Sequence, residues 1–160
     1  MTCTLILLRH AKSAWPGGIP DAQRPLAGRG RRDAPAVGRW LREQIARIDL
    51  VLCSPAVRAV QTWDLAAAEL DATPQVRHDE RLYGASADEL LRITQELPHT
   101  ASTVALVGHN PDLEDFLELL TGTVEILKTS AIAVMATPGT WAEAKAGSWT
   151  LEALATPRGS

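Results

Sequence analysis

Two histidines and two arginines stand in three short strings of this sequence: Arg9-His10, Ser54-Pro55-Ala56-Val57-Arg58, and Gly108-His109-Asn110-Pro111. Their types define a narrow chemistry. A guanidinium stays charged at any working pH, and its planar fork of N–H donors matches a pair of phosphate oxygens. A neutral imidazole is a competent nucleophile toward phosphorus. A second imidazole can hydrogen-bond the oxygens of a group in transfer. Singly, each residue has a plain structural reading, because a histidine at a strand end is usually just a satisfied polar group. Together they would make an anion site with a nucleophile in it, provided the fold brings them to one place.

The apolar pattern supplies that fold. Residues 4–9 form a continuous apolar run closing on Arg9, as a strand covered on both faces does. Residues 31–48 repeat apolar side chains at three and four (Ala34, Val37, Leu41, Ile45, Ile48), the stripe of an amphipathic helix. Residues 50–53 read as a second buried strand. Ser54-Pro55 then offers an N-cap and a first-turn proline to a helix carrying Val60, Trp63, Ala67 and Leu70. A short strand is expected within 76–82. Ser86 and Glu89 form a capping box for a helix to about residue 97. Residues 103–107 are a further buried strand, and Asn110-Pro111 repeats the cap-plus-proline device ahead of Leu113, Phe116, Leu117 and Leu120. Residues 130–136 and 148–154 read as two closing strands. The stretch 15–30, rich in Pro, Gly and Arg, reads as a long loop.

Strands alternating with helices predict an α/β fold: a single-domain three-layer sandwich with a mostly parallel central sheet flanked by helices. In such sheets the ligand site lies beyond the carboxyl ends of the strands. Arg9-His10, Ser54 to Arg58, and Gly108 to Asn110 all fall there, beside two helix N-termini whose free N–H groups favour an anion.

The chain has 160 residues, with 46% hydrophobic and 22% charged side chains and a formal net charge of −3. We expect one domain at 1–155 and a flexible C-terminal tail at 156–160. Nucleic-acid binding calls for a basic stripe, and a membrane span for a run of about 18 apolar residues. Neither is present, and the expected setting is soluble and cytoplasmic. Cys3 and Cys53 form no CxxC pair and read as buried reduced thiols. A cysteine-phosphatase loop is disfavoured: Pro55 removes an N–H donor, and four residues, not five, separate Cys53 from Arg58. No Asp/His cluster stands at metal-ligand spacing, so no metal and no cofactor is expected.

The string Leu8-Arg9-His10-Ala11-Lys12-Ser13 resembles the Arg-His signature of the histidine phosphatase superfamily. Arg24-Pro25-Leu26, followed by Gly30-Arg31-Arg32-Asp33-Ala34, is similar to its next stretch. Ser54 to Thr62 is similar to its Ser-Pro-x-x-Arg-x-x-Gln-Thr segment, and Val107 to Pro111 resembles its second-histidine motif. The likeness spans residues 4–122. The short chain and the Arg-His-Ala-Lys-Ser variant are most similar to SixA-type phosphohistidine phosphatases. The resemblance implies a phosphoglycerate-mutase-like fold. It implies His10 as the nucleophile that becomes phosphohistidine, Arg9 and Arg58 as the phosphate clamp, and His109 as the second pocket histidine. The implied substrate is a phosphorylated protein. A small phosphorylated metabolite, or a silent phosphate-binding role, is the alternative.

Around that quartet, Ser13, Lys12 and Arg24 stand where they can reach phosphate or simply solvate the loop. One departure matters. Larger members protonate the leaving oxygen with a carboxylic acid. Here Arg81-Leu82 is followed by Tyr83-Gly84, and Asn110 takes the place after the second histidine. Asp112, Glu114 and Glu80 are the remaining candidates for a general acid, although acids in a first helical turn commonly serve the helix dipole. A missing acid favours leaving groups that need no proton, phosphoimidazole among them.

Overall fold

Leu5, Ile6, Leu7 and Leu8 form an unbroken apolar run because β1 (Thr2–Arg9) lies in the middle of a sheet covered on both sides. Successive side chains on a strand point to opposite faces. Leu5 and Leu7 accordingly join one core with Phe116 and Leu117, while Ile6 and Leu8 join the other with Val37 and Trp63. The structure, a computed structural model, describes all 160 residues.

The sheet has six strands in the order β3-β2-β4-β1-β5-β6. β1, β2 (Leu50–Cys53), β3 (Gln75–His78) and β4 (Thr103–Gly108) run parallel, and β5 (Ile132–Pro138) and β6 (Thr150–Ala155) close one edge antiparallel. Helices α1 (Gly28–Gln44) and α2 (Val57–Ala67) cover one face; α3 (Ala87–Gln95) and α4 (Asp112–Thr121) cover the other. This is the expected three-layer sandwich. No helix is long and apolar enough to cross a membrane.

Several local expectations shift. α1 spans Gly28–Gln44 rather than 31–48. Its start is drawn forward by close packing: a Cβ on Gly30 would sit 2.1 Å from the Lys12 carbonyl oxygen, so only glycine fits there. Its end comes early because Ile45 turns extended, and Ile45 and Ile48 reach the core from non-helical chain. α2 begins at Val57, after the expected cap. The Ser54 hydroxyl accepts from Ala56 N–H, a turn that precedes the helix instead of capping it. Asn110 likewise does not cap α4; its side chain donates to Glu114 and to the Leu127 carbonyl. The capping box of Ser86 and Glu89 forms as expected. Trp141 is buried and donates to the Ala101 carbonyl, whereas Trp15 is exposed. Residues 156–160, expected as a flexible tail, are held against α1: Arg158 and the Gly159 N–H both donate to buried Asp33.

Candidate active site

The parallel registers set the site. β1 and β4 pair so that Arg9 faces Gly108, and β2 and β4 pair so that Cys53 faces Val107. The three strands therefore end in one row. His10 N–H donates to the Gly108 carbonyl, and Ser54 N–H donates to the Val107 carbonyl. The residues that follow each strand, His10, Ser54 and His109, become neighbours. The two imidazole centroids are 5.2 Å apart.

Hydrogen bonding fixes which nitrogen of His10 is free. His10 Nδ1 lies 2.7 Å from the Ala11 carbonyl oxygen. A carbonyl only accepts, so Nδ1 carries the proton and Nε2 keeps its lone pair. His109 Nε2 lies 2.8 Å from Ser54 Oγ, which also accepts from Ala56 N–H. His109 Nδ1 is buried and has no partner within the protein. Arg9 Nε and Arg58 Nε are also buried donors without a protein partner. Buried N–H groups are rarely left unmatched. Two unpartnered arginine donors and an unpartnered imidazole nitrogen, on residues gathered with His10, are suited to the oxygens of a phosphoryl group.

Each arginine is aimed by its other nitrogens. Arg9 Nη1 donates to the Leu127 carbonyl at 2.8 Å. Arg58, in the first turn of α2, donates from Nη1 to the Asp21 carbonyl and from Nη2 to the Asp21 carboxylate, at 2.7 and 3.0 Å. Thr62, one turn along, donates to the Arg58 carbonyl and accepts from Ala11 N–H. It links the clamp helix to the residue after His10. Gln61 accepts from Leu26 N–H and pins the far end of the loop.

The field of the site keeps both imidazoles neutral. Burial, aided by Arg58, Arg9 and Arg24, pushes His10 down to about 4. Burial, then His10 and Arg58, pushes His109 down to about 3, with Asp21 pulling the other way. At neutral pH the His10 lone pair is therefore available. No group of three or more His, Cys, Asp or Glu side chains is arranged to hold a metal ion. Cavities of about 720 and 420 Å³ lie at the opposite end of the strands, around Arg47 and Asp49, and neither includes a residue of this site.

Residues 5–102 match the family model of the histidine phosphatase superfamily (branch 1). This protein belongs to the histidine phosphatase superfamily. It is 40% identical over 162 residues to the uncharacterized protein Rv1276c of Mycobacterium tuberculosis, covering 94% of this chain and 100% of that one. Among solved structures it is similar to one assigned as a phosphohistidine phosphatase SixA from Nakamurella multipartitia, at 32% identity and a TM-score of 0.85 over 98% and 97% of the two chains. A structure with the same assignment from Agrobacterium tumefaciens gives 27% identity and a TM-score of 0.84 over 97% and 98%.

Within this histidine phosphatase, the residues singled out from sequence separate into two groups. Arg9, His10, Arg58 and His109 come together. Ser13 and Arg24 are buried beside them: Arg24 donates to Ser13 Oγ, to the Ala14 carbonyl and to Asp21, and stacks 3.4 Å over the Trp15 ring. Lys12 is exposed and contributes its backbone carbonyl, which accepts from Ala27 N–H. None of the three candidate acids hydrogen-bonds a side chain of the quartet, although Glu114 acts on the Arg9 guanidinium. Glu114 is engaged by Asn110 and by the Leu127 N–H. Asp112 is half-buried, and its carboxyl is raised by burial and by Asp115 and Glu89. Glu80 is exposed on the turn after β3.

Sequence reasoning missed Asp21 and Tyr83. Asp21 contacts Arg58, Arg24 and the Tyr83 hydroxyl, and the Tyr83 ring meets His109 edge-on at 5.5 Å. The one available signal was spacing: Asp21 precedes Arg24 by three residues in a loop otherwise read as Pro/Gly punctuation. Ser54, Gln61 and Thr62 were read as motif residues, without the hydrogen bonds that give them their work.

Proposed function

We propose that this histidine phosphatase removes the phosphoryl group from phosphohistidine on another protein, through a covalent phosphohistidine intermediate on His10. The observation that carries the reading is the His10 tautomer: Nδ1–H is held on the Ala11 carbonyl, so Nε2 keeps its lone pair, and the arginines that act on the ring, Arg9 and Arg58, each keep a buried Nε–H without a protein partner.

In this reading the phosphoryl oxygens dock on Arg9, Arg58 and His109, whose buried Nδ1 has no partner within the protein. His10 Nε2 attacks phosphorus, the bond from phosphorus to the substrate nitrogen breaks, and its electron pair leaves with that nitrogen. Water then attacks phospho-His10, the P–Nε2 pair returns to His10, and inorganic phosphate departs with the water oxygen. The arginines neutralise the charge that builds on the equatorial oxygens, so the reaction runs without a divalent cation. Ser13 and Arg24 shape the pocket wall.

A protein substrate is supported by the exposed side chains around the site, Trp15 over Arg24, Tyr83 beside His109, and Asp21, which we read as an open rim. An open site makes few contacts with a small molecule, and little remote binding energy is then available to raise its rate. A side chain offered on a protein surface brings its own contacts. The protein, pretreated with EDTA, should be assayed on a phosphohistidine peptide, a phosphoserine peptide and a sugar phosphate at equal concentration. We expect the highest kcat/KM on phosphohistidine and no effect of the chelator. A sugar phosphate that wins by an order of magnitude would redirect the assignment to a metabolite phosphatase.

A further inference from the structure

Asp21 is the carboxylate of this site, although it lies in a loop and in none of the strings that carry chemistry. Its backbone carbonyl and its Oδ2 both sit on the Arg58 guanidinium. Its Oδ1 accepts from Arg24 Nε at 3.0 Å, and its Oδ2 also accepts from the Tyr83 hydroxyl. Four fastenings hold it at the lip of the clamp, yet half its side chain (49%) faces solvent. Tyr83 stands beside it, 40% exposed, with its ring against His109 and 5.9 Å from the Arg58 guanidinium. A phosphoryl group seated on Arg58 would have its leaving group emerge past this carboxylate and this aromatic face.

On the reading of the preceding section, we infer that Asp21, braced by Tyr83 and Arg24, is the specificity-determining residue: it accepts the free ring N–H of an N-phosphorylated imidazolium and repels substrates with a second negative charge beside the phosphoryl group.

The chemistry of the leaving group gives the reason. Asp21 is held well below the usual carboxylate range, first by the Tyr83 hydroxyl and then by the two arginines, so it has no proton to give. An alkoxide leaving group needs one. A phosphoimidazole protonated on its other nitrogen does not. When its P–N bond breaks, the electron pair stays on the ring nitrogen, the P–Nε2 bond to His10 forms, and neutral imidazole departs with its original N–H. No proton moves. A carboxylate receiving that N–H favours the protonated ring, which is the reactive form, through a charge-assisted hydrogen bond. The exposed Tyr83 ring offers a surface for a flat heteroaromatic. A carboxylate or second phosphate on the substrate would instead meet the Asp21 charge.

The test compares wild type, Asp21→Asn and Tyr83→Phe on three substrates: a peptide phosphorylated on histidine Nε2, p-nitrophenyl phosphate, and phosphoglycerate. The readout is the ratio of kcat/KM values within each protein, so a general loss through Arg58 cancels. Asp21→Asn should lower the ratio of phosphohistidine to p-nitrophenyl phosphate by roughly tenfold or more, the scale of one charge-assisted hydrogen bond. It should raise the ratio of phosphoglycerate to p-nitrophenyl phosphate. Tyr83→Phe, which keeps the ring and removes one brace, should shift both ratios the same way by less. Equal losses on all three substrates would make Asp21 a mere prop for Arg58 and overturn the inference alone. A wild type that hydrolyses p-nitrophenyl phosphate and ignores the phosphohistidine peptide would overturn the proposed function, and this inference with it.

Discussion

His10, Ser54 and His109 reach the catalytic rim on the ends of three paired strands, whereas Asp21 and Arg24 reach it on a long loop with one short helical turn. The first group is placed by backbone register. Once Arg9 is opposite Gly108 and Cys53 opposite Val107, the neighbours of each strand end have little freedom. The second group is placed by side chains. Arg24 folds the loop onto Ser13, Gln61 holds Leu26, and Arg58 holds Asp21. The proposed nucleophile thus rests on paired strand ends, and the groups proposed to meet the leaving group rest on a loop braced by side chains, which substitution can retune.

The contrast can be broken first at Arg58, where the two constructions meet. Arg58→Lys keeps the charge but loses the fork that serves Asp21 and the phosphoryl oxygens at once. We expect kcat/KM to fall by roughly 10²-fold or more with an unchanged circular dichroism spectrum. A loss below threefold, on the order of a surface substitution, would remove Arg58 from the clamp.

Thr62 sharpens the contrast from the structural side. It is fully buried and joins α2 to Ala11 through both halves of its hydroxyl. Thr62→Val keeps the volume and leaves Ala11 N–H unsatisfied, at a cost of about 1–3 kcal/mol in unfolding free energy. Activity should fall alongside, because Ala11 also holds the His10 tautomer. Unchanged denaturant midpoint and rate would show that the link is idle.

A further effect comes from pH. Both site histidines are neutral in the fold at a pH where ordinary histidine protonates: His10 is near 4 and His109 near 3, against 6.5. As pH falls below 6.5 the unfolded chain takes up protons that the native state refuses, so stability present above 6.5 is lost progressively toward pH 4. Urea midpoints should drop between pH 7 and pH 5, and the drop should shrink in His10→Ala. A midpoint that is flat or rises on acidification would contradict the buried, neutral pair.

The same division explains what the sequence made legible. Unbroken apolar runs in β1, β2 and β4 announce strands buried on both faces, and from strand ends alone His10, Arg58 and His109 could be brought together. Helix ends were read less well, because caps were assigned from residue type. Ser54 and Asn110 have capping side chains, yet tertiary partners claim them, His109 for one and Glu114 with Leu127 for the other. Asp21 was invisible for a related reason. No periodicity governs a loop, and its role exists only because Arg58, Arg24 and Tyr83, distant in sequence, all point at it.

The central claim is that His10 accepts the phosphoryl group, and trapping the intermediate tests it most directly. The protein should be mixed with a radiolabelled phosphohistidine peptide, quenched in alkaline denaturant within the first turnovers, and digested for peptide mapping. The account predicts one acid-labile, alkali-stable label on the peptide that contains His10, and no label in His10→Ala. Label that persists in His10→Ala, or that maps to the peptide containing His109 or Cys53, would contradict it.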